Sequence, residues 1–199
     1  KLDECSKAAL PGWKITLTNG TYTANKTTDS NGWYQFCGLA PGNYSLKETL
    51  NHGWIQVAAP SEVTLDCDNI TNQNFTNTRK LCISGYKLDE CSKAALPGWK
   101  ITLTNGTYTA NKTTDSNGWY QFCGLAPGNY SLKETLNHGW IPVSSPPSVP
   151  LVCDNVTNQN FTNRQKLCIS GYKLDDCTKA GLPGWKITLT NGTYTANKT

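Results

Sequence analysis

The chain copies itself. Lys1–Ile55 recurs without one change as Lys87–Ile141, a period of 86 residues, and a third copy opens at Lys173 with KLDDCTKAGLPGWKITLTNGTYTANKT. A fixed period of this kind means one fold repeated along the chain, and the third stretch is too short to bury a core alone. We therefore expect a slice of a longer tandem array: residues 1–79 as a first repeat lacking the start of its first strand, 80–165 as a complete repeat, and 166–199 as the truncated beginning of a third. Many copies of one surface suit a fibre, a stalk or a multivalent binder, whereas an enzyme needs one site. Phe75–Ile83 passes from one copy to the next with no Gly or Pro, so the modules should stack stiffly.

Within a repeat the apolar residues have period two. Trp13, Ile15 and Leu17 alternate with Lys14, Thr16 and Thr18; Asn19-Gly20 is a hairpin signal; Tyr34 and Phe36 alternate with Trp33 and Gln35; and Pro41-Gly42 turns the chain into Tyr44, Leu46 and Glu48. With Tyr22–Asn25, Val63–Leu65, Phe75–Asn77 and the Leu81–Leu88 segment, this predicts seven strands, A to G, and no helix. The expected fold is all-β: tandem immunoglobulin-like, seven-strand sandwiches stacked head to tail.

Composition narrows the setting. Charged residues make up 16% and hydrophobic residues 37%, with a net charge of +4 and no basic run beyond Arg79-Lys80. This leaves no footprint for nucleic-acid binding, and no apolar stretch approaches the roughly 18 residues of a membrane helix. Nine Cys point to an oxidising, extracellular compartment. None stand in the close pairs zinc needs, so no metal is expected. Twelve Asn-x-Ser/Thr acceptors (Asn19, Asn25, Asn43, Asn69, Asn74, Asn105, Asn111, Asn129, Asn155, Asn160, Asn191 and Asn197) point to an exported protein carrying N-linked glycans and no other cofactor. Asn25, Asn111, Asn74 and Asn160 are expected to face solvent. His52 and His138 sit in Asn-His-Gly-Trp turns with no catalytic partners in view.

The run LPGWKITL, then TTDSNGWYQFCGLAPGNYSLKET, then HGW, resembles the Cna B-type (prealbumin-like, SdrD-B/SpaA-like) domain of prokaryotic surface proteins. That resemblance implies a place in stacked stalks of adhesins or pilins. It departs in its Cys, which the family usually lacks, and in having no acidic calcium loop; Asp29-Ser-Asn31-Gly32 reads as a plain turn. Some members of the family carry a self-formed Lys–Asn isopeptide bond promoted by an acidic residue. Lys87-x-Asp89 resembles the reactive-lysine strand. The alternation places Lys87, Glu134 and Asn163 inside the second sandwich, and Lys1, Glu48 and Asn77 inside the first; Lys173 would need partners beyond Thr199. The alternative is a Lys87–Glu134 salt bridge at the strand end.

An up-and-down walk through the strands gives a disulfide scheme. Cys82 begins strand A and Cys91 follows it, separated by up to ~30 Å of extended chain against the ~7 Å Cα limit of a bridge. Cys123 and Cys153 end strands at the same end as Cys82. The scheme is Cys37–Cys67 and Cys123–Cys153 within repeats, Cys5–Cys82 and Cys91–Cys168 between them, and Cys177 bonded to a residue outside the chain. The rival pairs Cys82 with Cys123 or Cys153. The expected function is a structural filament, stalk or sheath whose partners are its own repeats and copies of itself, with no enzyme activity beyond isopeptide formation. A multivalent adhesin or glycan-binding array, using outward Trp33 and Trp119, is the alternative.

Overall fold

Alternating Ile, Leu and Thr between turn residues leaves little choice but sheet, and the computed structural model, which describes residues 1–199, is built of strands with no helix. The chain divides into two units, Lys1–Gln165 and Lys166–Thr199. The first begins with β1 (Leu2–Asp3), β2 (Lys14–Thr18), β3 (Thr23–Thr27), β4 (Gly42–Glu48), β5 (Trp54–Ala58), β6 (Val63–Leu65) and β7 (Thr76–Arg79). It continues with β8 (Leu81–Asp89), β9 (Lys100–Thr104), β10 (Thr109–Thr113), β11 (Trp119–Leu125), β12 (Gly128–Glu134), β13 (Trp140–Ser144), β14 (Val149–Leu151) and β15 (Phe161–Gln165). The second unit holds one hairpin, β16 (Ile187–Thr190) with β17 (Thr195–Lys198).

In the complete repeat two four-stranded sheets, ordered β10-β9-β12-β14 and β11-β8-β15-β13, enclose one core. Ile83, Ile101, Leu103, Tyr120, Phe122, Tyr130, Leu132, Val149, Leu151 and Phe161 fill it. The repeat has eight strands, one more than expected. The extra one, β13, follows the Asn-His-Gly-Trp turn and pairs with β15 at the sheet edge, where Pro142 is tolerated.

Strand β8 is the keystone of the second sheet. It runs antiparallel to β11 on one side and parallel to β15 on the other. Residues 155–160 lace its β15 edge: Ser84 N donates to Val156 O (2.9 Å), Val156 N to Cys82 O (2.9 Å), and Gln159 N to Ser84 O (3.0 Å). Gly85 passes so close that a Cβ there would overlap the Gln159 carbonyl. Lys1 aligns with Lys87, so the first repeat has no residues aligned with Leu81–Tyr86. Its Trp33–Cys37, identical in sequence to the first part of β11, consequently forms no strand. Sheet formation here is tertiary: the same five residues extend into a ladder only where a partner stands beside them.

The disulfides correct the expected scheme. Cys82 stands directly opposite Cys123 in the β8–β11 register, with Cα atoms 4.1 Å apart, and the two are bonded. That consumes Cys123, and Cys153 bonds instead to Cys5 of the preceding repeat, Cα–Cα 5.5 Å. Neither Cys123–Cys153 nor Cys5–Cys82 therefore exists. Cys37–Cys67 and Cys91–Cys168 are also unmade; these four and Cys177 are exposed thiols. The rival pairing of Cys82 with Cys123 is the one observed, because the two stand opposite each other in register.

Seating β8 removes Leu81 and Ile83 from water, worth about 1.5–3 kcal/mol for each side chain. Gly85→Val should therefore lower the stability of the second repeat by about 3 kcal/mol or more in urea unfolding, whereas Gly171→Val, at the aligned position with open space around it, should change nothing.

Candidate functional site

Each sandwich of the first unit buries one lysine. In the second, Lys87 on β8 pairs in register with Phe161 of β15, which puts Asn163, two residues on, diagonally across the same face. Glu134, at the end of β12, reaches them from the opposite sheet. Lys87 and Asn163 are completely buried. Lys87 Nζ lies 3.0 Å from Glu134 Oε2, an ion contact without hydrogen-bond geometry, and Asn163 Nδ2 donates to the same oxygen at 3.2 Å. One carboxylate oxygen thus touches both the amine and the amide nitrogen.

The first sandwich repeats the set. Lys1 Nζ contacts both Glu48 Oε2 and Asn77 Oδ1, all three side chains shielded from water. All six residues expected to form the two sets are brought together in two threes; Lys173, in the second unit, lies over Trp185 (4.9 Å). Burial pushes the Lys1 and Lys87 amines below the ordinary lysine value, with Glu48 and Glu134 pulling partly the other way. The polar atoms Lys87 Nζ, Asn163 Oδ1, Asn77 Nδ2 and Glu48 Oε1 find no hydrogen-bond partner. A buried group left so is costly, about 1–3 kcal/mol each, and such groups are few in folded proteins.

The alternation missed the aromatic wall of the site. Trp13 and Trp99 read only as core, yet their rings lie 4.3 Å and 4.6 Å from Lys1 and Lys87 Nζ. The reason is local. Trp99 N donates to the Thr114 hydroxyl (2.9 Å), which donates to Leu96 O (2.8 Å), fixing the residue before β9 over the lysine. A second indole, Trp140, then meets Trp99 edge-on at 5.6 Å.

Other expected features are placed as follows. Trp119 does not stand open for ligands in the complete repeat, because Tyr86 packs against it at 4.9 Å. The Asp29 carboxylate accepts from Asn31 N and Trp33 N, both 2.9 Å, and so serves as a turn cap. Of the glycan acceptors, Asn25, Asn74 and Asn111 are exposed, but Asn160 is half-buried because its Oδ1 accepts from Tyr86 N (2.8 Å). Asn155 likewise holds Cys82 N (2.7 Å), while Asn19, Asn105 and Asn191 cap their hairpin turns. Asn43 and Asn197 accept from neighbouring Thr hydroxyls; Asn69 and Asn129 are exposed.

The family model described as SpaA, prealbumin-like fold domain, matches residues 1–79 and 82–146. Serine-aspartate repeat-containing protein F of Staphylococcus epidermidis is 30% identical over 158 residues, covering 66% of this chain and 10% of that protein. Colossin-A of Dictyostelium discoideum is 29% identical over 212 residues, covering 88% of this chain and 2% of that protein. The chain thus spans a tenth or less of these relatives. Among solved structures, the Streptococcal ancillary pilin is 18% identical, with a TM-score of 0.42 over 83% of this chain and 60% of that one. With the family model covering most of both repeats, the chain belongs to the SpaA prealbumin-like domain family, the Cna B/SdrD-B-like surface-protein repeats.

Proposed function

We propose that the chain is an extracellular, cell-surface structural module, a segment of a stiff stalk or filament, in which each sandwich is locked internally by a Lys–Asn isopeptide bond and joined externally by a disulfide. The observation that carries the mechanical reading is the junction between repeats. A single residue, Lys80, separates β7 from β8, its N–H donates to Gly53 O (2.8 Å), and Cys5–Cys153 closes a second covalent connection alongside. Two chain crossings side by side resist bending far better than one flexible linker. Exposed acceptors such as Asn69 and Asn129 would carry glycan on the polar faces.

The isopeptide reaction needs only residues already in place. The neutral Lys87 amine attacks Asn163 Cγ; the Nζ–Cγ bond forms, the Cγ–Nδ2 bond breaks, and ammonia leaves. Glu134 Oε2, touching both nitrogens, takes the proton from Nζ and returns it to the departing Nδ2. The unpartnered polar atoms around the triad support this reading over a resting salt bridge. Lys1, Glu48 and Asn77 act equivalently in the first sandwich. No substrate is turned over, so the chain is not an enzyme.

Reduced protein should weigh less than its sequence by one ammonia for each linked sandwich. Glu48→Ala/Glu134→Ala should restore the full mass, and a full mass in the native chain would sink the isopeptide. Asn77→Ala/Asn163→Ala, which cannot form the bonds, should lose about 4 kcal/mol per domain on the chain-entropy account. In this unlinked variant each folded lysine gives up its proton below the ordinary value of 10.5 while the unfolded lysine keeps it, so stability should rise with pH towards that value. Above about pH 10 the buried Tyr34 and Tyr120 hydroxyls, held above the usual 10.0, oppose the rise. The linked chain should lack the lysine slope, as denaturation curves at stepped pH would record. For the junction, Cys5→Ser/Cys153→Ser should broaden the inter-repeat angle in electron micrographs; an unchanged distribution would argue against the clamp.

A further inference from the structure

The two repeats of the first unit are near copies, so the places where they differ are informative. Of the ten residues that differ between Lys1–Lys80 and Lys87–Lys166, seven fall in Gln56–Asp66, aligned with Pro142–Val152. These residues form β5, β6 and their connecting loop in the first repeat, and β13, β14 and theirs in the second. In the second repeat β14 ends one sheet and β13 ends the other. At the opposite ends of the two sheets β10 and β11 lie against each other, so β13 and β14 share a flank. In the first repeat β5 likewise ends the sheet with β7, and β6 ends the sheet with β4. The repeats are thus made different chiefly at a pair of sheet edges.

The replacements share one effect on the backbone. Gln56 stands where the second repeat has Pro142, and Thr64 where it has Pro150, each within an edge strand. The ladders keep their register: Gln56 pairs with Asn77 as Pro142 pairs with Asn163, and Thr64 pairs with Asn43 as Pro150 pairs with Asn129. On an edge strand proline is accommodated where its nitrogen faces away from the neighbouring strand, so the Gln56 and Thr64 N–H groups point out from the edges. Trp54, two residues before Gln56 on the same side, agrees: its N–H donates to Asn51 O (3.2 Å) and not to β7. The first repeat therefore presents two backbone donors that the second repeat lacks. The apolar side chain beside them is the same in both, Val57 being 49% and Val143 46% exposed.

An edge of this composition is a strand-pairing surface. Trp54-Ile-Gln-Val-Ala-Ala59 holds aromatic and β-branched residues and no proline, and Gly53–Ser61 carries no charge. The chain as a whole has a net charge of +4, so two copies repel each other least where a neutral edge meets its own like. In an antiparallel pair the N–H and C=O of one residue face the same side, so Gln56 can exchange both bonds with Gln56 of a second copy across a twofold axis. We infer that the β5 edge of the first repeat is a self-pairing site. Two copies of the chain join antiparallel there, Gln56 to Gln56, while Pro142 and Pro150 keep the second repeat out of such pairing. The bulge after Gln56 interrupts the regular edge, so the ladder is short, and the twofold closes it as a dimer. This contact lies between chains and goes beyond the stalk reading, which concerns contacts along one chain.

The test uses the full chain with its exposed thiols alkylated and its disulfides intact. Sedimentation over a concentration series should show a monomer–dimer equilibrium, and the Gln56 amide should exchange with solvent more slowly in the dimer. Gln56→Pro should weaken the dimer by about tenfold or more. Its urea midpoint should not move, because proline already stands at the aligned position 142. Pro142→Gln should do the reverse, opening a second edge and giving larger species. A chain that stays monomeric at every concentration overturns the inference. So does a dimer equally strong in Gln56→Pro, or a size distribution that Pro142→Gln leaves unchanged; should Gln56→Pro disturb the fold, Pro142→Gln decides alone. None of these outcomes touches the mass of the lysine–asparagine link or the Cys5–Cys153 junction, so the stalk reading fails or stands on its own measurements.

Discussion

The seating of β8 is the constraint on which the rest of the complete repeat depends. That one strand completes the second sheet, closes the core with Leu81 and Ile83, carries Cys82 to Cys123 and delivers Lys87 to Glu134 and Asn163. Lys1 of the first repeat aligns with Lys87. There the β11 sequence forms no ladder, Trp33 is uncovered and Cys37 is unbonded. The lysine site nevertheless assembles, because Lys1 is still held by Gly32 O at its amino group (2.7 Å) and by the pairing of β1 with β7.

A buried lysine facing an aromatic wall is held between opposing effects. Loss of water favours the neutral amine, while Glu134 and the face of Trp99 favour the ammonium. Burial of a charge pair is weak as a source of stability, since desolvation offsets most of the attraction. The proposed reaction would use this arrangement as a nucleophile beside an amide, with one oxygen able to pass the proton between the two nitrogens. A covalent product would remove the charge, satisfy the orphaned atoms and leave an amide in place of an ion pair.

Much of this was legible from residue alternation. Period two at Trp13–Leu17 and Tyr34–Phe36 gives the strands, and the inward register of Lys87, Glu134 and Asn163 puts the triad in one core. What escaped depended on pairing partners that the linear pattern does not name. Trp140–Ser144 is a strand because β15 lies beside it, although Pro142 and the preceding turn argue for a loop. The linear pattern leaves Cys82 a choice between Cys123 and Cys153, and the β8–β11 register makes it. Asn155 and Asn160 also hold the β8 backbone through their side-chain oxygens, since a side-chain amide can replace a missing ladder partner.

The positions of the covalent links follow a mechanical logic. Pulling on a tandem chain loads the first and last strands of each domain, here β8 and β15, which are neighbours and run parallel. Hydrogen bonds between parallel terminal strands are loaded together in shear, and Lys87 and Asn163, one on each strand, meet at the same Glu134 oxygen. A bond there would carry tension past the fold without stretching the core. Cys82–Cys123 fastens the start of the loaded strand to its other neighbour, and Cys5–Cys153 ties adjacent repeats beside the single-residue connection at Lys80. In the proposed stalk each link would lie where force enters, leaves or crosses between domains, and the hydrophobic core would be left to set shape. Under that proposal, sandwiches of fewer than ninety residues, too small for a large core, would take tension through their covalent links and not through their packing.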